Sequence, residues 1–309
     1  MFFPAKILLF GEYAIVRGGR GVAIPYYGFG GALAFANHQQ LEQDTQIAQS
    51  HQAVTALVQL IAQEQEKEEE GRRADTPNCL WDIIALQQAL NEGLYFASTI
   101  PQGYGLGSSG ALIAALYQQF ALPNNNNNNW TWLKQQFART ESHLHGASSG
   151  IDPLVCYLQQ ALAVQGNTIT PISQATSAHK SQHCLFLLDT QQPRKTAPLV
   201  QQFLHKLEDA TFLSIYQQQL LPLNEACINA WQAADMPLLF DLWGKLSDLQ
   251  LRYFDFLIPR NLHTLWQQGI DTGNYYLKIC GAGGGGFMLG MAANKQTAMA
   301  VGEVRLLMH

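Results

Sequence analysis

Charge is what this sequence has least of. Across 309 residues only 13% are Asp, Glu, Lys or Arg, and the 23 acids outnumber the 18 bases for a net charge of −5. No basic stripe or Lys/Arg cluster stands out, which argues against nucleic acid as the main partner, because phosphate backbones are held by clustered cations. An anionic metabolite would have to be held by a few placed cations and backbone amides. The five cysteines, Cys79, Cys156, Cys184, Cys227 and Cys280, form no CxxC pair and no zinc-ligand spacing. All but Cys79 lie in mainly apolar stretches and read as small buried hydrophobes in a reducing compartment. No apolar run reaches membrane-spanning length, so no membrane partner is expected. The apolar opening, residues 1–10, is broken by Lys6 and runs straight into Gly11-Glu12. It is too short and wrongly flanked for a signal peptide, and a cytoplasmic protein is expected.

What is present is a core. The hydrophobic fraction of 47% and aromatic fraction of 10% fit a globular chain, long enough for one large domain or two ordinary ones. Short apolar runs predict strands at 7–10, 22–24, 32–36, 161–165, 184–188, 275–279 and 287–291. Helical spacing predicts helices over 46–70, 81–91, 109–121, 132–144, 197–207, 212–234, 238–254 and 262–267, with a closing helix over 295–307. The Asn124–Asn129 tract reads as an exposed loop tip, and residues 166–182 as a polar, turn-rich passage with a domain boundary near its end. The fold class is α+β in two domains, 1–180 and 181–309.

One loop stands out for chemistry. Pro101-Gln102-Gly103-Tyr104-Gly105-Leu106-Gly107-Ser108-Ser109-Gly110 runs into an apolar helix. Its glycines let the backbone turn tightly and bring N–H groups to a ligand. The helix N-terminus adds unpaired donors and a favourable dipole for a phosphate, and the two serines offer hydroxyls to a phosphate or a magnesium ion. A Walker A loop would end in Gly-Lys-Ser/Thr, and there is no lysine here. Gly105-x-Gly107-x-x-Gly110 satisfies the dinucleotide fingerprint, but that motif wants an acidic residue about twenty positions on. Residues 124–132 hold no carboxylate, so a nicotinamide-dependent oxidoreductase is the disfavoured alternative.

Three segments in order resemble the GHMP kinases (galacto-, homoserine, mevalonate and phosphomevalonate kinases). Pro4-Ala5-Lys6-Ile7-Leu8-Leu9-Phe10-Gly11-Glu12-Tyr13-Ala14 looks like the first motif, and 101–110 like the second, the nucleotide-phosphate loop. Lys278-Ile279-Cys280-Gly281-Ala282-Gly283-Gly284-Gly285-Gly286 looks like the third, a glycine turn from the second domain. The stretch from Glu141 to Asp152, eleven positions apart, resembles the mevalonate kinase segment that carries a magnesium-binding glutamate and a catalytic aspartate. Asp189-Thr190 followed by Pro193-Arg194-Lys195-Thr196 is similar to a segment of the same enzymes. The resemblance implies a two-domain fold: a mixed α/β nucleotide-binding domain, then a ferredoxin-like α/β domain.

The resemblance also implies ATP and Mg²⁺ as cofactors, and mevalonate as the small-molecule partner. Asp152 and Lys6 would be the catalytic pair, and Gly103, Gly105, Leu106, Gly107, Ser108, Ser109 and Gly110 would bind ATP. Ser109 and Glu141 would hold the metal; Glu12, Tyr13, Arg194, Gly283 and Gly284 would contact the acceptor. A homodimer is compatible with it. Bland readings stand beside these: Glu141 as a helix-surface acid, Asp152 as a helix cap, the Gly283–Gly286 run as a tight hairpin. Lys6, set in an apolar strand, needs a partner in any case. Two departures concern the acceptor: Tyr13 stands where mevalonate kinases usually carry histidine, and Cys280 where threonine is usual. Gly-Glu-Tyr with Ser-Ser-Gly is more like phosphomevalonate kinase, the alternative within the family. A nucleotide-binding module without catalysis is the other alternative, and it would not need Lys6 and Asp152.

Overall fold

The computed structural model describes residues 1–71, 81–123, 129–172, 182–193 and 196–307. Arg194, Lys195, Cys79 and most of the asparagine tract lie outside them. The chain forms two compact units whose segments interleave: Met1–Lys6, Pro25–Ile100 and Gly107–Gln160 make the first, and Ile7–Ile24, Pro101–Leu106 and Ala161–His309 the second. The sequence reading expected a single cut at 180/181. The interleaving arises because two long strands, β1 (Phe3–Phe10) and β2 (Gly21–Phe35), each run on from one unit into the other.

In the first unit β2 is continued by α1 (His38–Gln43), α2 (Thr45–Gly71), α3 (Ile83–Asn91) and β3 (Leu94–Ser98), then α4 (Ser108–Phe120), α5 (Trp130–His145) and α6 (Ile151–Leu158). β3 pairs antiparallel with the end of β2, Gly31 opposite Ser98. The apolar spacing on α2 buries Val54, Leu57, Val58 and Ile61, as expected for one face of a helix. α4 is buried on nearly every side, from Gly110 to Tyr117. Its neighbour α6 comes so close that a Cβ on Gly110 would stand 2.7 Å from the backbone of Asp152 and Pro153. Asn129, the last residue of the asparagine tract, caps α5 by accepting from the Trp132 N–H.

The second unit carries β4 (Leu162–Gln165), at the strand expected over 161–165, and β5 (Thr168–Pro171), which pairs with it as a hairpin inside the passage expected to be irregular. It continues with β6 (Cys184–Asp189), α7 (Thr196–Lys206), α8 (Ala210–Ile215), α9 (Leu221–Gln232), α10 (Met236–Tyr253), α11 (His263–Thr272), β7 (Tyr275–Lys278), β8 (Phe287–Ala292), α12 (Lys295–Val301) and β9 (Val304–Leu306). A π-helical turn, Tyr216–Leu220, joins α8 to α9. The four-stranded sheet runs β7-β8-β6-β9, and every described pairing in it is antiparallel. Strand, helices, two strands, helix, strand in that spatial order is the split βαβ arrangement of ferredoxin-like folds.

Three expectations change. The runs at 22–24 and 32–36 are parts of the single strand β2. β3 was not foreseen, because Leu94-Tyr95-Phe96-Ala97-Ser98 is short, although Gly93 at φ +87° marks the break from the helix before it. The closing helix stops at Val301, where Gly302 at φ +151° turns the chain back to lay β9 against β6.

Candidate active site

Lys6 projects from β1 and is 7% exposed. Its Nζ stands 2.5 Å from Asp152 Oδ1, so the partner that a buried lysine requires is this aspartate. Asp152 sits in the first turn of α6, where a negative charge also meets the positive end of the helix dipole. Pro153 is tolerated beside it because the first-turn N–H groups have no partner inside the helix. Gly107, at φ +72°, turns the loop into α4; a Cβ on it would lie 3.4 Å from both Asp152 Oδ2 and Lys6 Cβ. The glycine thus leaves open the space beside the ion pair, at the point where the N–H groups of α4 begin.

Ser109 brings the same helix end to a second carboxylate. Its Oγ donates to Glu141 Oε1 at 2.7 Å, and Ser148 Oγ donates to Glu141 Oε2. Glu141 is 5% exposed, so it is no helix-surface acid. Two positions away on either side, Arg139 and His143 hold Glu64 of α2 at 2.6 and 2.8 Å. Residues two apart on a helix point to different flanks, so these contacts fasten α5 on one side while Glu141 faces the other. Ser148 in turn accepts from the Gly150 N–H at 3.0 Å, and Gly150 fits against α5 where a Cβ would stand 2.0 Å from the Lys134 carbonyl. The two carboxylates belong to one electrostatic neighbourhood. The Cys156 thiol, one turn beyond Asp152, is pushed well above its ordinary range by burial, then by Asp152 and Glu141, with Lys6 opposing.

Hard oxygen donors suit Mg²⁺, which keeps much of its hydration and takes only one or two protein oxygens beside substrate phosphates. Ser109 Oγ and the Glu141 carboxylate fit that habit. Among the described residues no group of three or more His, Cys, Asp or Glu is arranged to hold a metal by itself.

In the second unit the other sequence-derived residues make a separate constellation. Glu12 Oε1 lies 2.6 Å from Nζ of Lys278, which is fully buried. Burial raises the Glu12 carboxyl against the pull of Lys278 and of the Glu12 and Gly281 N–H groups. Tyr13, at φ +64°, donates its hydroxyl to the Ala282 carbonyl at 2.7 Å. The run Gly283–Gly286 has positive φ at every position. It is pinned from outside: the Gly284 N–H donates to the Leu257 carbonyl and the Gly286 N–H to the Gln192 carbonyl, both at 2.7 Å. A two-residue hairpin would need no such support. Gly103, Gly105 and Leu106 lie in this unit's part of the 101–110 loop, Leu106 buried. Arg194 is outside the described residues.

Sequence reasoning missed Ser148 and Lys278. Lys278 was findable by the argument applied to Lys6, a charge inside an apolar strand. Ser148 had only a weak signal, a small hydroxyl in the turn after a buried acid.

Comparison with known proteins points the same way as the motifs. The family model described as GHMP kinases N terminal domain matches residues 78–160, which span α4, the Ser109–Glu141 pair and Asp152. Residues 78–160 thus carry the likeness to the GHMP kinases, the superfamily that the sequence motifs also resemble. Among solved structures this chain is similar to L. major mevalonate kinase in complex with R-mevalonate, at TM-score 0.61 and 17% identity over 97% of this chain and 89% of that one. It is also similar to Streptococcus pneumoniae phosphomevalonate kinase in complex with phosphomevalonate and AMPPNP, at 0.59 and 15% over 99% and 98%. Lactococcus lactis galactokinase complexed with galactose stands at 0.58 and 14% over 99% and 92%. At these identities the likeness is one of fold. No curated protein matches the sequence. The fold expected from the resemblance, two domains of mixed helix and strand, is the one observed.

Proposed function

We propose that this chain is a GHMP kinase that transfers the γ-phosphoryl group of ATP to the primary hydroxyl of mevalonate. The observation that supports phosphoryl transfer most directly is the Lys6–Asp152 pair at 2.5 Å beside Gly107. Transfer asks a protein mainly for positioning and charge neutralisation. The acceptor hydroxyl gives its proton to Asp152 as its oxygen bonds to the γ-phosphorus. The bond from that phosphorus to the bridging oxygen breaks, and ADP leaves. Lys6, already held by Asp152, steadies the developing alkoxide and the γ-phosphate. Gly103, Gly105, Leu106, Gly107, Ser108, Ser109 and Gly110 form the phosphate loop. Ser109 and Glu141 would hold Mg²⁺, whose charge offsets that of the nucleotide phosphates. Tyr13, Gly283, Gly284 and Arg194 are assigned to the acceptor on the resemblance alone.

The choice of mevalonate follows from cation supply. Phosphomevalonate brings up to two more negative charges and calls for further Lys or Arg. Of the cations near the motifs, Lys6 is committed to Asp152, Lys278 to Glu12, and Arg20 to Glu225 at 2.9 Å. Among the described residues that leaves Arg17; Arg194 and Lys195 lie outside them. The phosphomevalonate reading keeps one support, the Gly-Glu-Tyr and Ser-Ser-Gly segments. A coupled ADP-release assay over mevalonate, phosphomevalonate, galactose and homoserine separates them. kcat/KM should favour mevalonate over phosphomevalonate by at least about tenfold, roughly 1.4 kcal/mol in transition-state binding. Arg194→Ala should raise KM for mevalonate far more than for ATP. A preference for phosphomevalonate would overturn the acceptor.

A further inference from the structure

The turn Gly11-Glu12-Tyr13 is held in a conformation that Tyr13 does not favour. Gly11 has φ +103°, and Tyr13, a bulky residue, has φ +64°. Such a residue costs on the order of 1–3 kcal/mol and persists only where its surroundings over-determine it, which happens most often at functional sites. Here the surroundings are identifiable. Tyr216, in the π-helical turn, donates its hydroxyl to the Tyr13 carbonyl at 3.2 Å. The Tyr13 hydroxyl donates to Ala282 at 2.7 Å, and its ring lies 4.4 Å from that of Phe203. Beneath these contacts is the Glu12–Lys278 pair.

That pair is fully furnished within the second unit. Lys278 Nζ donates to Glu12 at 2.6 Å and to the Ile279 carbonyl at 2.8 Å, and lies 5.8 and 5.7 Å from the Phe10 and Trp243 rings. The Gly281 N–H also favours the charged form of Glu12. That charge is spent on Lys278, which leads into the glycine loop, and is not offered to a ligand. Two successive residues of the turn, Glu12 and Tyr13, thus face the loop, one through Lys278 and one through the Ala282 carbonyl.

We infer that Glu12 and Lys278 form an internal latch that fixes the glycine loop against the Tyr13 turn, and that Lys278 is a positioning residue for the acceptor contacts made by both. The positioning half rests on the kinase reading above; the latch itself does not. It reassigns Glu12 from acceptor contact to loop holder.

Glu12→Gln, Lys278→Met and the double variant test it together. Removing one member of a buried pair strands the other's charge, whereas replacing both is often near neutral. Each single variant should therefore lower the melting temperature and speed amide hydrogen exchange across residues 281–286, and the double should recover most of both. With the acceptor that the wild type turns over, the single variants should raise acceptor KM by about tenfold or more while ATP KM moves less than about twofold, the double again recovering. A double variant as acceptor-deficient as Glu12→Gln means that Glu12 touches the acceptor itself, and overturns the reassignment. Acceptor and ATP KM moving alike would make the pair merely structural, and additive losses in melting temperature would overturn the latch. If Lys278→Met alone does not fold, Glu12→Gln and the double variant still decide. A wild type that phosphorylates none of the four acceptors sinks the kinase reading, and the exchange and melting comparison still judges the latch.

Discussion

Two lysines lie inside apolar strands, Lys6 in β1 and Lys278 in β7, and each is met by one carboxylate. A buried ammonium has to be paired, so the existence of partners was legible from sequence. Their identity was legible only for Lys6, through the Gly-Ile-Asp resemblance. Asp152→Asn would leave Lys6 facing a neutral amide and remove the proton acceptor. kcat should fall by about 10²–10⁴-fold with little change in nucleotide affinity, the usual contribution of a placed acid–base group. A variant with near-normal turnover would remove Asp152 from the chemistry. Glu141 carries a different burden. Its oxygens accept from Ser109 and Ser148, and a glutamine there would present one oxygen and an NH₂. Glu141→Gln, folded as judged by circular dichroism, should raise the magnesium concentration needed for half-maximal rate, because an amide is a poorer hard-cation ligand. An unchanged magnesium titration would leave Glu141 as a purely internal tie.

At the scale of elements the site depends on how closely α4, α5 and α6 approach, and glycines set that distance. Gly110 lets α4 touch the first turn of α6, and Gly150 lets the start of α6 touch α5. The glycine-rich character of 101–110 was read from sequence as phosphate binding, but Gly110 has a packing reason that no local pattern reveals. Gly110→Ala would put a methyl group 2.7 Å from the Asp152 and Pro153 backbone, and neither can give way as a side chain would. The substitution should destabilise by about 1–3 kcal/mol, the cost of overpacking, and displace Asp152 from Lys6. Thermal melting and kcat should fall together, whereas Gly166→Ala, with nothing within 4 Å but at φ +58°, should lower the melting temperature slightly and leave kcat unchanged. Helices with a clear apolar stripe, α2 and α5 among them, were legible for the same reason that they are stable: one face is buried. β3, β5 and β9 were not, because strands of 3–5 residues take their identity from a pairing partner distant in sequence.

For the whole molecule the low charge content means that few groups tie stability to pH, so those few should be separable. His183 enters β6 with its ring 4.7 Å from that of Phe240. Burial holds its pKa below the ordinary 6.5, with Asp241 pulling the other way. In the unfolded chain the histidine binds a proton first as pH falls, so protons favour the unfolded state between about 6.5 and the lower folded value. Stability contributed by neutral His183 is complete above that window and lost on descending through it. Glu12 runs in the opposite sense. Its carboxyl is raised above 4.5 by burial, so the folded chain keeps that proton longer, and stability falls as pH rises between the two values. The two slopes oppose each other in mild acid, and a melting curve of the wild type shows only their sum. Melting temperatures of wild type and His183→Gln, followed from pH 8 downward, isolate the first. The variant should lose part of the decline that the wild type shows just below about pH 6.5, and the two should keep a constant offset above it. Parallel curves across the whole range would mean that the His183 ring is as solvated as in the unfolded chain, and that its packing on Phe240 does not couple to protonation.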